Sequence, residues 1–493
     1  MLVKNPSSKE HGSIHYHDIG DYLDREAKLA IVASAVNGES FEWEFLKPDK
    51  HGDWLNQRDD AWTQFAPMGL EKLKAPLGIF GMYSSGTMST RDAWVYNFNR
   101  DLVSKNPKRM IEFYNSEVNR YFAADVNMKF SDFADKTDSK IKWNEKLFKL
   151  AEKGKHLSFN EQSITKTLYR PFCKQWFYSE PDMQWSMYKQ KALYPDSNSK
   201  NIAICLTGIG ADASYPLIAD LQINYHTMAS GDSFPLYWYE KKESFGGMFA
   251  DETSEYVRHD AITDESLRVF REAYPRVFDA HGMSKARAKA DGGIELTKED
   301  IFYYIYGILH SPEYRKRFEA NLKKELPRIP LAENFRAFSL AGGRLAQLHL
   351  DYESVQPYPL TVHGDASNPG RVQKMKWAKC RDPETGKKVD DHTTLIYNEN
   401  LTFSDIPETA NEYKVNGRSP LEWMIDRYQV KTDKTSGIVN DPNEYSDDPA
   451  YISGLIPRLV TVSMETLEIV STLPALNEKP QPADWPFAWK VTE

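Results

Sequence analysis

Cysteine is scarce, with three in 493 residues (Cys173, Cys205 and Cys380), all far apart. That excludes a disulfide scaffold and any cysteine-built metal centre of the usual spacing, and it leads us to expect a reducing, cytoplasmic setting. Long apolar runs are absent, and nothing approaches the eighteen or more residues of a membrane helix. The opening "MLVKNPSSKEHGSIHYHD" lacks the apolar stretch of a signal peptide. Net positive charge is also missing, with 62 basic against 71 acidic residues and a formal charge of −9. That counts against a nucleic-acid binder that is basic over its whole surface, though not against a local patch.

What charge there is, is segregated. Ser311 to Arg328 carries six basic and three acidic residues, and Arg371 to Lys388 seven and two. Asp433 to Asp448 reverses the sign, with one lysine against five acids. One positive face would fit this pattern, as would solvated helix faces and hairpins. The length allows two or three domains. β-branched and aromatic runs bounded by turn residues, such as "TLYRPFCKQWFYSE", "NIAICLTGIG" and "SFPLYWYE", predict strands. Thr297 with Asp300 predicts a helix start, and Ser419-Pro420 predicts another. Behind Pro420, Leu421, Met424, Ile425 and Tyr428 fall on one helical face. "IFYYIYGIL" is apolar all round, so Tyr303, Tyr304 and Tyr306 read as core. The polar insert "HGMSKARAKADGGIEL" reads as a loop. The expectation is a mixed α+β chain: a β-strand body with helical segments and a β meander, without a complete Rossmann or motor domain.

Catalytic constellations are hard to find. Gly208-Ile209-Gly210 ends a strand but lacks the third glycine and the acid that complete a dinucleotide or S-adenosylmethionine site, and a turn explains it better. His15 and His17 lack the further ligands a metal needs. Asp21, Glu26 and Lys28 resemble a nuclease acid set, yet they lie along one helical segment. Asn5-Pro6-Ser7-Ser8 lacks the second proline and the aromatic of an adenine methyltransferase motif, and neither a G-x-S-x-G elbow nor a Walker lysine is present. We expect no catalytic residue, cofactor site or metal site in this chain.

Several phrases taken together resemble the C-terminal region of the type ISP restriction-modification enzymes. They are "YHDIGDYL", "HGDWLNQRDD", "SSGTMSTRDAWVYNF", "LYRPFCKQWFY", "FPLYWYE", "EDIFYYIYGILHSPEYRKRF", "LPRIPL" and "YKVNGRSPLEWMIDRYQVKTDKTSGIVNDPNEY", in that order along nearly the whole chain. The resemblance implies a target recognition region for double-stranded DNA. It implies an adenine-N6 methyltransferase and a helicase and nuclease, in cis or in trans, outside this chain. S-adenosylmethionine, ATP and Mg are implied for that parent system, not for this chain. It further implies a tail following a methyltransferase domain at 1–44 and an α/β part at 45–260. A helical segment at 261–365, a basic β meander at 366–415 and a C-terminal helical segment at 416–493 complete the division. The family phrase more often reads Tyr-Arg-Pro-Phe-Asp, and here Cys173 stands in place of the acid. Two rival functions remain open: part of an adenine methyltransferase acting with a partner chain, and a protein-interaction module docking the motor or methyltransferase.

The candidate DNA contacts follow from side-chain chemistry, since cations and small hydroxyls hold phosphates and long polar side chains read base edges. Ser89, Thr90 and Arg91 lie in a turn-rich stretch whose alternative is an internally bonded turn. Arg170, before a proline, and Lys174 could project from a strand edge, unless Arg170 pairs with a buried acid. Trp176, Phe177 and Tyr178 beside them read as core. Arg315 and Lys316 begin the basic burst after "HSP". Arg371, Lys374 and Lys376 lead, with Lys379, into a ribbon that suits a major groove or simply a charged edge strand.

Overall fold

The computed structural model describes residues 12–20, 23–34, 41–55, 57–69, 78–124, 127–196, 198–211, 215–242, 255–274, 296–383 and 385–482. Asn5 to Ser8, Asp21 and the polar insert from His281 lie outside the described residues.

Strands β1 (Ser84–Ser85) and β2 (Tyr96–Asn97) bracket a short loop, and β3 (Ile164–Arg170) and β4 (Cys173–Tyr178) form a hairpin. Strands β5 (Ala203–Leu206), β6 (Leu217–Ala219) and β7 (Asp232–Pro235) come next in the chain. These seven make two antiparallel sheets, ordered β1-β7-β5-β6 and β2-β4-β3. Every residue of β5, β6 and β7 is buried, so their sheet is covered on both faces. That is why the sequence shows short apolar runs there instead of alternation. The β3–β4 turn is tight enough to hold Phe172 at φ 56°, a region bulky side chains avoid. Its ring is buried edge-on against Tyr352, and its carbonyl accepts from the Tyr428 hydroxyl at 3.2 Å.

Five helices frame these sheets: α1 (Arg100–Ala123), α2 (Lys298–His310), α3 (Phe335–Leu350), α4 (Pro420–Arg427) and α5 (Tyr451–Ser471). Thr297 and Asp300 form a reciprocal capping box on α2, and Ser419 and Glu422 form one on α4, with Pro420 at its first turn. Both starts lie where the sequence signals placed them. Along α2, Tyr304 and Tyr306 are fully buried, whereas Tyr303 is half-buried on the rim. Helices α2 and α3 touch backbone to backbone. A methyl on Gly342 would overlap the Tyr303 carbonyl oxygen, and one on Gly307 would overlap that of Phe338. Only a residue without a Cβ permits that approach.

The meander comprises β8 (Thr361–His363), β9 (Lys376–Arg381), β10 (Lys388–Ile396) and β11 (Thr402–Ser404), ordered β8-β11-β10-β9. Two hydrophobic clusters hold the described residues together. The larger runs from Trp62 to Leu476 and includes β5 to β7, α2, α3, the meander base and α5. The smaller joins α1 to β2 through β4 and takes in Ile438. This is an α+β architecture. Among the described residues, no helix is long and apolar enough to cross a membrane.

Candidate nucleic-acid interface

The loop between β1 and β2 is built around Asp92. Its carboxylate accepts from the Ser89 hydroxyl and from the Tyr169 hydroxyl at 3.0 Å, and Arg170 Nη2 lies 3.8 Å away. Ser89 is therefore enclosed, its oxygen also accepting from the Arg91 backbone N–H at 3.1 Å. Thr90 is exposed at φ 60°, and its hydroxyl accepts from Asn144 Nδ2 at 3.0 Å. Arg91 is only 3% exposed, and its three guanidinium nitrogens have no hydrogen-bond partner among the described residues. Burial alone pushes its pKa down to about 9.

The expectation of side chains reaching outward fails at three of the ten candidates, which are buried. Besides Ser89 and Arg91, Arg170 is 8% exposed and donates to Tyr169 O at 2.6 Å and Asn224 Oδ1 at 2.9 Å. Arg315 lies 3.7 Å over the Tyr215 ring, and its burial lowers its pKa. The physical reasons differ: Ser89 is turned inward by Asp92 three residues on, Arg170 by Asn224 from a distant segment, and Arg91 is enclosed without a hydrogen-bond partner among the described residues. Lys174 is half-buried and bonds Glu353 at 2.8 Å. Trp176, read as core, is half-buried and carries Arg100 and Lys166 against its ring, at 5.7 and 5.3 Å. Phe177 and Tyr178 are fully buried.

The remaining candidates face solvent. Lys316 is exposed after α2, and Arg371, Lys374 and Lys376 are exposed at the entry to β9. Arg371 pairs with Asp441, which anchors the meander to the acidic segment. Beyond Trp377 the β9–β10 pair leaves the body: Lys379, Cys380 and Arg381 on one strand, and Lys388, Val389 and Asp390 on the other, are all exposed. A strand exposes alternate side chains to opposite faces, so consecutive exposure means that both faces of the ribbon meet solvent. One cross-strand pair, Lys379 with Asp390 at 2.8 Å, stiffens it.

Sequence reasoning passes over two exposed aromatics. Trp185 is 39% exposed and Tyr188 50%. Their only sequence signal is two aromatic rings in the polar phrase "PDMQWSMYKQ".

The Gly208–Gly210 turn does not cradle a cofactor. The Gly208 N–H donates to Ala229 O at 3.3 Å and the Gly210 N–H to Lys323 O at 3.1 Å, and the chain runs on to β6. A dinucleotide or S-adenosylmethionine would need those N–H groups and a helix directly after them, so the residues present do not fit one. Among the described residues, no group of three or more His, Cys, Asp or Glu is placed to hold a metal ion.

A model of the Type ISP C-terminal specificity domain matches residues 78–455. Among solved structures, the chain is similar to a nuclease-deletion mutant of the Type ISP restriction-modification enzyme LlaGI in complex with a DNA substrate mimic. There the identity is 35% and the TM-score 0.78, over 96% of this chain and 40% of that one. It is similar to the ATP-dependent Type ISP enzyme LlaBIII bound to DNA, at 32% identity and TM-score 0.78, over 97% of this chain and 28% of that one. A DrdV–DNA complex aligns at 26% identity and TM-score 0.71, over 95% of this chain and 44% of that one. The chain thus spans less than half the length of each. No curated protein matches.

Proposed function

The chain belongs to the Type ISP C-terminal specificity domain family, and from that premise we propose that it recognises a specific sequence in double-stranded DNA. It gives that specificity to an adenine-N6 methyltransferase and a motor nuclease carried elsewhere, in cis or in trans. Those parts would bind S-adenosylmethionine, ATP and Mg, and this chain would supply no catalytic group. The cytoplasm is where such a reader would meet DNA. The observation that carries the reading is the β9–β10 ribbon, open to solvent on both faces, in a segment with seven basic and two acidic residues within a chain of charge −9. A two-stranded ribbon is narrow enough to enter the major groove, and an isolated hairpin gains little stability by itself in water.

The test is selection from a pool of randomised duplexes by the full chain, then titration of the enriched duplex at increasing salt. A reader enriches one sequence and loses affinity steeply with salt as counterions leave the phosphates. Replacing Lys387 and Lys388 by alanine should flatten the logarithmic salt slope by about 0.9 for each phosphate no longer neutralised. A flat salt response and no enriched sequence would refute the reading and favour a protein-docking module.

A further inference from the structure

Among the described residues, seven non-glycine residues have positive φ, and five of them meet in one place: Thr90, Tyr188, Ala229, Ser230 and Asn416. The loops that carry them are tied together by backbone hydrogen bonds and one from the Asn416 side chain. Met88 and Ser186 exchange N–H to carbonyl bonds at 2.8 and 3.1 Å, and Tyr225 N donates to Thr87 O at 2.9 Å. The Ser230 N–H donates to Tyr225 O at 3.0 Å, and Asn416 Nδ2 reaches Thr227 O at 3.5 Å. Asparagine tolerates left-handed backbone, but for Thr90, Tyr188, Ala229 and Ser230 it is unfavourable and persists only where its surroundings dictate it.

Tyr188 is the clearest case. It sits at φ 47°, and the next residue is fixed by the Lys189 N–H donating to the Ser84 hydroxyl at 3.0 Å. Buried Gln190 then locks the turn through Ser85 O at 3.1 Å and the Ser233 hydroxyl at 2.9 Å. This machinery holds a ring that the fold itself does not bury. Tyr188 remains half exposed, with the Tyr225 ring stacked behind it at 6.1 Å and 16°. The exposed Trp185 and Lys189 flank it in the chain, and Asp232 is close enough to act on its hydroxyl. A scattered exposed tyrosine needs no explanation, but one held out by strained backbone on a buried scaffold does.

We infer that Tyr188, braced by Tyr225, is a base-stacking contact of this chain, laying its ring against an unstacked base of the bound DNA. This deepens the DNA-recognition reading and rests on it. Aromatic rings serve this purpose because every base has a π face, and such rings also wedge base steps apart.

The experiment measures binding of the full chain to the duplex enriched from the randomised pool, by fluorescence anisotropy over a range of salt. Tyr188→Ala should weaken binding about tenfold to a hundredfold and leave the salt slope unchanged, because every phosphate keeps its cation. Tyr188→Phe should stay within about threefold, since the hydroxyl does not stack. Tyr188→Asn, whose side chain tolerates left-handed backbone, should match the alanine variant and controls for misfolding of the turn. Wild-type affinity in both the alanine and asparagine variants overturns this inference alone, as does a phenylalanine variant as weak as alanine. A wild-type chain that binds no duplex removes the recognition reading and this inference with it.

Discussion

Acidification should destabilise this protein through two histidines that never touch solvent. The His310 Nδ1–H donates to Tyr306 O at 2.8 Å, leaving Nε2 buried without a partner among the described residues. Thr466 gives its hydroxyl proton to Val462 O at 2.6 Å, so its oxygen accepts from His349 Nε2 at 2.9 Å. His349 Nδ1 in turn accepts from the Tyr306 hydroxyl at 2.7 Å. Both rings are thus held neutral, with their centroids 5.6 Å apart. Burial pushes His310 down to about 3, and burial, with His310 as the smaller cause, pushes His349 well below its ordinary value. The unfolded chain takes up protons below about pH 6.5 and the folded chain does not, so stability is complete above that pH and falls as pH drops. Between pH 7 and pH 5 each ring withdraws about 2 kcal/mol, and the pair about 4 kcal/mol. Urea unfolding monitored by tryptophan fluorescence at pH 7, 6 and 5 measures this directly. The double variant His310→Gln, His349→Gln should start less stable and vary less with pH, because groups common to both proteins cancel. An equal loss in wild type and double variant over that interval would refute the reasoning.

Other substitutions probe packing and charge. Gly342→Ala drives a methyl into the Tyr303 carbonyl and should cost about 3 kcal/mol in chemical denaturation; a neutral result would mean the helices separate freely. Arg91→Met replaces an unpartnered buried charge with apolar volume and should raise stability by about 1–3 kcal/mol, read as a higher melting temperature. Cys173 is fully buried, with Arg427 and Arg170 close enough to act on its thiol, whose pKa burial nonetheless raises to about 12. Cys173→Asp should therefore cost several kcal/mol, because burial outweighs the two arginines and Asp426 opposes a further anion; a loss within about 1 kcal/mol in the same melting assay would show that the guanidinium groups do compensate a carboxylate there.

What the sequence made legible is what local chemistry decides. Thr297 with Asp300 and Ser419 with Pro420 carry their capping function within one helical turn, and the all-round apolar pattern of Ile301 to Leu309 fixes its burial. The meander, too, was visible from its turns. Arg170 was not legible, because its partner Asn224 lies 54 residues away; a cation in a turn-rich phrase looks the same whether it meets water or an amide oxygen. Nor was Tyr188. Its left-handed turn is held by the Lys189 N–H on Ser84, 105 residues away, and the local sequence does not announce that partner.

The threading of the larger core has a consequence for how specificity can change over evolution. The segment Ala66–Pro67 pairs with Arg328–Ile329, Glu333 N bonds Asn477 O at 2.7 Å, and Asn97 bonds Val439 O at 2.9 Å. A hybrid gene joined at residue 260 or 365 would sever such pairings and mate two halves of a core fitted to different partners. New recognition would arise more readily by rewriting the turns and the ribbon in place, with the scaffold inherited whole.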